Sequence, residues 1–210
     1  MIGTSIFANI LVVVFVLLAL ILLDDFLELA PYLADHIFRS RGSRALEHSL
    51  RVSRDRNTIA IAFIIPAILI VNRYRLWPAT FLDGLNPDLR LPVVAGVFLV
   101  YILIRYLSYI IFKPKRRYEY YVLAYRSAFS LFILLMVLLL VTVGIQALFG
   151  CKDLLIRDVL YAEIALVYLF HLVRKMQILS ISYSPLTTFL YLCTLELLPT
   201  AALVVSAVLL

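Results

Sequence analysis

Charge is scarce in this chain. Charged residues make up 15% of its 210 residues, whereas soluble domains carry about 25%, so the polar skin that a water-soluble fold of this size requires is missing. Glycine is rare as well, with six in total, and neither a glycine-rich phosphate loop nor a dinucleotide fingerprint occurs. G-x-S-x-G and H-E-x-x-H are absent too. Cysteine occurs twice, as Cys151 in a short connection and Cys193 inside the last apolar run. No C-x-x-C or Cys/His cluster accompanies them, so neither a disulfide framework nor a metal site is indicated, and no cofactor is expected. His36, His48 and His171 are scattered and nominate no Ser/His/Asp set.

What the chain has is hydrocarbon. Apolar residues reach 64% with a mean hydropathy of +1.04, which makes lipid the solvent for most of the surface. The expected fold is an all-α integral membrane protein, a single polytopic domain over residues 1–210. About six transmembrane helices are expected at 4–23, 58–77, 92–112, 122–149, 154–173 and 186–210, each near the roughly 20 residues a bilayer demands. The first run has no basic residue before it and Asp24 and Asp25 after it. A cleaved signal peptide wants the reverse, so a retained span is expected.

Residues 24–57 separate spans 1 and 2 and carry six arginines and six acidic residues. Phe26, Leu29, Leu33 and Ile37 recur at three and four, the pattern of an amphipathic helix at the membrane surface. Pro31 is expected to bend or interrupt that helix. A turn at 41–43 and a second polar helix over 44–56 follow. Span 2 is short unless extended to Trp77 with Arg73 and Arg75 snorkelling, and Pro66 predicts a kink within it.

The net charge of +6 serves orientation, not nucleic acid, since the basic residues flank apolar runs. With Arg105 and Arg126 set aside as intramembrane, the loops on one side hold twelve Lys/Arg and those on the other five. That bias puts both termini outside the cytoplasm.

Five ionisable side chains fall inside spans: Arg105, Arg126, Glu163, His171 and Glu196. At bilayer depth each costs roughly 2.5–3.5 kcal/mol on insertion scales, so each is expected to face protein or water. Arg126 lies near the start of span 4 and is expected to snorkel, and His171 lies near an end, three residues before Arg174. Arg105, Glu163 and Glu196 are deep, and Arg105 is expected to pair with one of the two acids. Tyr101, Arg105, Ser108 and Tyr109 form a polar stripe on span 3, and Glu163, His171 and Arg174 another on span 5. The knot Lys113, Lys115, Arg116 and Arg117 with Tyr118 suits lipid headgroups or a positive-inside anchor.

The run Y-L-C-T-L-E-L-L-P at 191–199 resembles the closing span of a family of uncharacterised polytopic inner-membrane proteins of Bacteroidota, which carries a Y-L-C-x-L-E-x-L-P signature. Glu196 and Pro199 match the acid and proline of that signature. The resemblance implies a cell-envelope membrane and no mechanism.

The leading expectation is a non-enzymatic membrane subunit packed against other integral membrane proteins of an envelope complex, such as one for transport or export. A small transporter or channel built on the intramembrane Arg/Glu residues is the alternative, and a lipid-acting enzyme the third. The bilayer is the expected partner in every case.

Overall fold

The computed structural model describes residues 6–38, 50–77, 82, 84–113, 118–150 and 153–209. Among the described residues the chain is helical, without strands. The order is α1 (Ile6–Ile21), α2 (Leu23–Phe38), α3 (Leu50–Ala62), α4 (Ile64–Arg73), α5 (Pro87–Ile111), α6 (Tyr118–Phe149), α7 (Asp153–Ser180) and α8 (Pro185–Leu192). A π-helical turn, Cys193–Leu197, then leads directly into α9 (Leu198–Leu209).

Among the described residues four helices are long and apolar enough to cross a membrane alone: Arg51–Arg73, Leu89–Ile111, Tyr120–Phe149 and Pro185–Ser206. Phe7–Ile21 and Leu23–Ala34 pass the same test only when taken together and are bent by 71° where they meet, the geometry of a broken span or of a re-entrant pair. α7 stands where the expected fifth span falls. Its 28 residues rise about 42 Å, so charge and not length sets it apart from the others. The chain is an all-α membrane protein.

Boundaries depart from the expected spans where polar residues are buried. The second polar helix is described only from Leu50, the turn at 41–43 and residues 44–49 lying outside the described residues; from there it forms one stretch with span 2, α3 running into α4, and Arg56 near its start is buried. Its guanidinium donates to Ser53 Oγ at 3.2 Å and Asn57 Oδ1 at 3.1 Å. The break between α3 and α4 falls at Phe63, three residues before Pro66, whose ring displaces the backbone of the preceding turn. α2, in contrast, runs unbroken through Pro31, and the sharp bend lies ahead of it at Leu22. There the uncharged run gives way to Asp24 and Asp25. Turning at that point lets the amphipathic face of α2 reach protein: Leu29 and Leu33 pack on Ile59, Ala60 and Ile133. Arg51 bridges to Glu28 at 3.2 Å on the exposed side.

α6 is the central post. It pairs most extensively with α7 and also meets α2 and α3. Met136 and Leu139 of α6 close one core layer with Ala67, Ile70, Ile156 and Leu160, and Ala124 closes another at its opposite end with Ile178 and Leu179. Gly150 ends α6 in the left-handed region at φ 65°, with its N–H on Gln146 O at 2.8 Å, the usual way to satisfy a last-turn carbonyl. At the same end Tyr74 donates to Gln146, which donates to Asp153 Oδ1 at 2.6 Å.

Packing on α6 separates protein-facing from lipid-facing positions. Ile133 is 0% exposed and Leu148 is 83% exposed. Ile133→Ala is expected to cost about 2–5 kcal/mol, as for buried aliphatic truncations, and Leu148→Ala less than about 0.5 kcal/mol. Unfolding in mixed micelles measures both, and equal losses would contradict this assignment of faces.

Candidate functional site

Glu196 sits eleven residues into the last span, about 16 Å of rise from Pro185, and is 2% exposed. A carboxylate there needs compensation, and the local backbone helps supply it. Pro199 has no N–H to offer the preceding turn. The chain responds with the π-helical turn, in which the Leu198 N–H bonds Cys193 O five residues back. Single π turns inside α-helices recur at functional positions. The Glu196 carbonyl accepts from Thr200 Oγ1 at 2.7 Å and from the Tyr168 hydroxyl at 3.3 Å.

Three side chains converge on the Glu196 carboxylate. Arg105 of α5 donates from Nη2 to both oxygens, at 2.8 and 2.7 Å. Lys175 of α7 donates from Nζ to Oε1 and is 5% exposed. His171, one turn before Lys175 and on the same face of α7, places Nε2 at 3.3 Å from Oε2 and at 3.3 Å from Arg105 Nη2. These two contacts are alternatives, because Nε2 accepts from Arg105 in one tautomer and donates to Glu196 in the other. His171 Nδ1 is buried with no partner among the described residues.

Tyrosines wall the cluster. Tyr109 stacks on Tyr121 with centroids 5.0 Å apart and on Tyr125 at 3.9 Å, and the Tyr121 hydroxyl donates to Tyr109 O at 3.0 Å. Tyr191 packs against Tyr121 and Tyr183. Between these rings and the Arg105, Lys175 and Glu196 side chains lies a cavity of about 20 Å³, room for about one water molecule. On its other side Arg105 borders a much larger lateral groove of about 210 Å³, walled by α3, α4, α5 and α6.

Of the expected pairings, Arg105 with an acid is realised, and the acid is Glu196. Glu163 stands twelve residues before Lys175, about 18 Å away along α7. It accepts from Thr142 Oγ1 at 2.5 Å, and its Oε2 is buried without a partner among the described residues. His171 lies well inside α7, not near its end, because the helix continues to Ser180. Arg126 is half-buried on α6 and is not among the donors to Glu196. Ser108 donates to Ile104 O of its own helix and stays out of the cluster. Lys113 is exposed at the end of α5. Lys115, Arg116 and Arg117 lie outside the described residues, as does the Tyr118 side chain.

Lys175 is the residue that sequence reasoning missed, since a lysine beside Arg174 after an apolar run reads as an interfacial anchor. The available signal was the apolar set Met176, Ile178 and Leu179 beyond it, together with its position one helical turn after His171. Comparison with protein-family models, curated proteins and solved structures finds no match to the chain.

Because the carboxylate is shared, its removal has a defined cost. Glu196→Gln leaves both cations buried without their counter-charge and is expected to destabilise by about 3–5 kcal/mol. Lys175→Met is expected to cost less, since Arg105 still meets the carboxylate. Mixed-micelle unfolding of both variants provides the check, and a wild-type curve for Glu196→Gln would remove the cluster from the energetics of the bundle.

Proposed function

We propose that this is a small multi-pass protein of the cytoplasmic membrane, of the transporter class and not an enzyme, that binds an anion at bilayer depth with Arg105 as the contact. The observation that supports this reading is an imbalance of charge. Arg105 and Lys175 bring two cationic side chains to one carboxylate, and an excess positive charge away from water is costly until an anion offsets it. Arg105 has capacity to spare. All of its hydrogen bonds among the described residues leave from Nη2, although a guanidinium carries five N–H donors, and its side chain is 25% exposed.

A second reading is favoured by the saturation of Glu196 in a cavity of one-water size. In it the cluster is a structural lock, and the chain is a non-enzymatic subunit that packs against other integral membrane proteins of an envelope complex. The two readings separate on one measurement. If Arg105 binds an anion, inorganic phosphate at millimolar concentration raises the Tm of the purified protein in neutral lipid, and Arg105→Gln abolishes the rise. No phosphate-dependent shift in the wild type would overturn the first reading in favour of the second, in which the chain leaves native membranes with companion proteins and a lone monomer would count against it.

The orientation we propose has both termini outside the cytoplasm. With Arg56, Arg174 and Lys175 buried inside the bundle, the loop bias narrows to nine against five and keeps its direction. The resemblance at 191–199 supports an inner-membrane location. In a variant with Cys151 and Cys193 replaced, Lys113→Cys is expected to react with an impermeant maleimide only after the cells are opened, whereas labelling of intact cells would reverse the topology.

A further inference from the structure

The lateral groove beside Arg105 has a polarity gradient along its length. Arg105, Tyr106 and Tyr125 lie at one end, Arg105 and Tyr106 about 9 Å or less of helix rise from the end of α5. Phe98, Ile64 and Phe132 lie at the other. Phe98 is seven residues deeper than Arg105, about 10 Å along α5, and α6 runs the same course from Tyr125 to Phe132. The rim opens outward, for Ile61, Ile102 and Tyr106 are exposed large apolar or aromatic side chains, and on a membrane protein that surface faces lipid. The groove is about ten times the volume of the cavity beside Glu196, and its apolar wall offers water few partners.

We infer that this groove takes a bilayer lipid laterally, its hydrocarbon chain along Phe98 and Phe132 and its anionic phosphate or carboxylate at Arg105. The inference rests on the anion reading above and adds the chemical class of the ligand, an anionic amphiphile, and its route of entry. Charge complementarity fixes the polar end. Among the described residues Arg105 is the one cationic side chain on the groove wall, and it is the same group that anchors Glu196. Arginine suits this double contact, because its planar fork presents separate donors to separate partners while a lysine ammonium acts as a point charge. The chain end matches by hydrophobicity alone, so affinity is expected to depend on chain length more than on headgroup identity.

The test uses the full chain in phosphatidylcholine nanodiscs with two probes, dodecyl phosphate and inorganic phosphate. Ile102→Trp and Ala128→Phe each fill the groove at positions that do not line the small cavity, and both are made so that misfolding of one is not mistaken for loss of binding. Each is expected to weaken dodecyl phosphate about tenfold or more, the equivalent of roughly two buried methylenes, while inorganic phosphate binding is unchanged. Arg105→Gln is expected to weaken both probes. If the groove variants bind dodecyl phosphate as tightly as the wild type, the lateral route is overturned and the anion site stands. If the wild type does not bind inorganic phosphate, the anion reading fails and this inference with it.

Discussion

A carboxylate held at bilayer depth must find its counter-charges inside the protein, and the arrangement of the last five helices follows from that demand. Glu196 comes from the closing span, Arg105 from α5, and His171 and Lys175 from α7. Hydrophobicity does not choose neighbours for an apolar helix in lipid, since the tails are as apolar as leucine. Charge does. Three helices that a uniform hydrocarbon could shuffle freely are tied at one point, and α6 is held to the same assembly through its tyrosine stack and its long seam with α7.

Much of this was legible in the residues. Runs of apolar side chains located the helices, and the scarcity of charge singled out the few ionisable groups that mattered. The pairing of Arg105 with an acid followed from complementarity alone, but the choice between Glu163 and Glu196 did not. Both acids are deep, and only the three-dimensional crossing of α5 with the closing span brings one of them to Arg105. Lys175 illustrates a different limit. Positive residues near the end of an apolar run are ordinarily interfacial, and periodicity cannot tell a snorkelling lysine from one turned inward, because the difference lies in what packs on that face. The π turn was hidden for a related reason. Pro199 announces a disturbed helix, yet whether the helix kinks or takes up an extra residue depends on the partners that await its carbonyls, here Thr200 and Tyr168.

The amino-terminal third shows the same competition resolved by burial. Proline at position 31 was the obvious place for a break, but α2 continues through it, and the bend sits at Leu22 instead. One lost hydrogen bond inside a helix is a local cost, whereas a straight continuation of α1 would carry Asp24 and Asp25 forward and leave the apolar face of α2 without Ile59, Ala60 and Ile133 to pack on. A segment whose pattern reads as surface-lying therefore serves as a bracket across α3 and α6.

Arg105 is where the structural and the functional demands meet. A lysine at that position would supply the same charge, but its single ammonium would be drawn into the Glu196 contact as Lys175 already is. The guanidinium divides its labour. Nη2 satisfies the carboxylate, and the remaining donors belong to a side chain that borders the lateral groove. The carboxylate contact thus holds the proposed anion contact in place, since an arginine fixed by two carboxylate bonds and a histidine has lost its freedom to snorkel toward the interface. On the proposed reading, a cation that cannot leave is one that the bilayer's anionic amphiphiles reach from the side, and that reading gives a charge cluster sealed to about one water on one face a reason to stand beside an open apolar groove on the other.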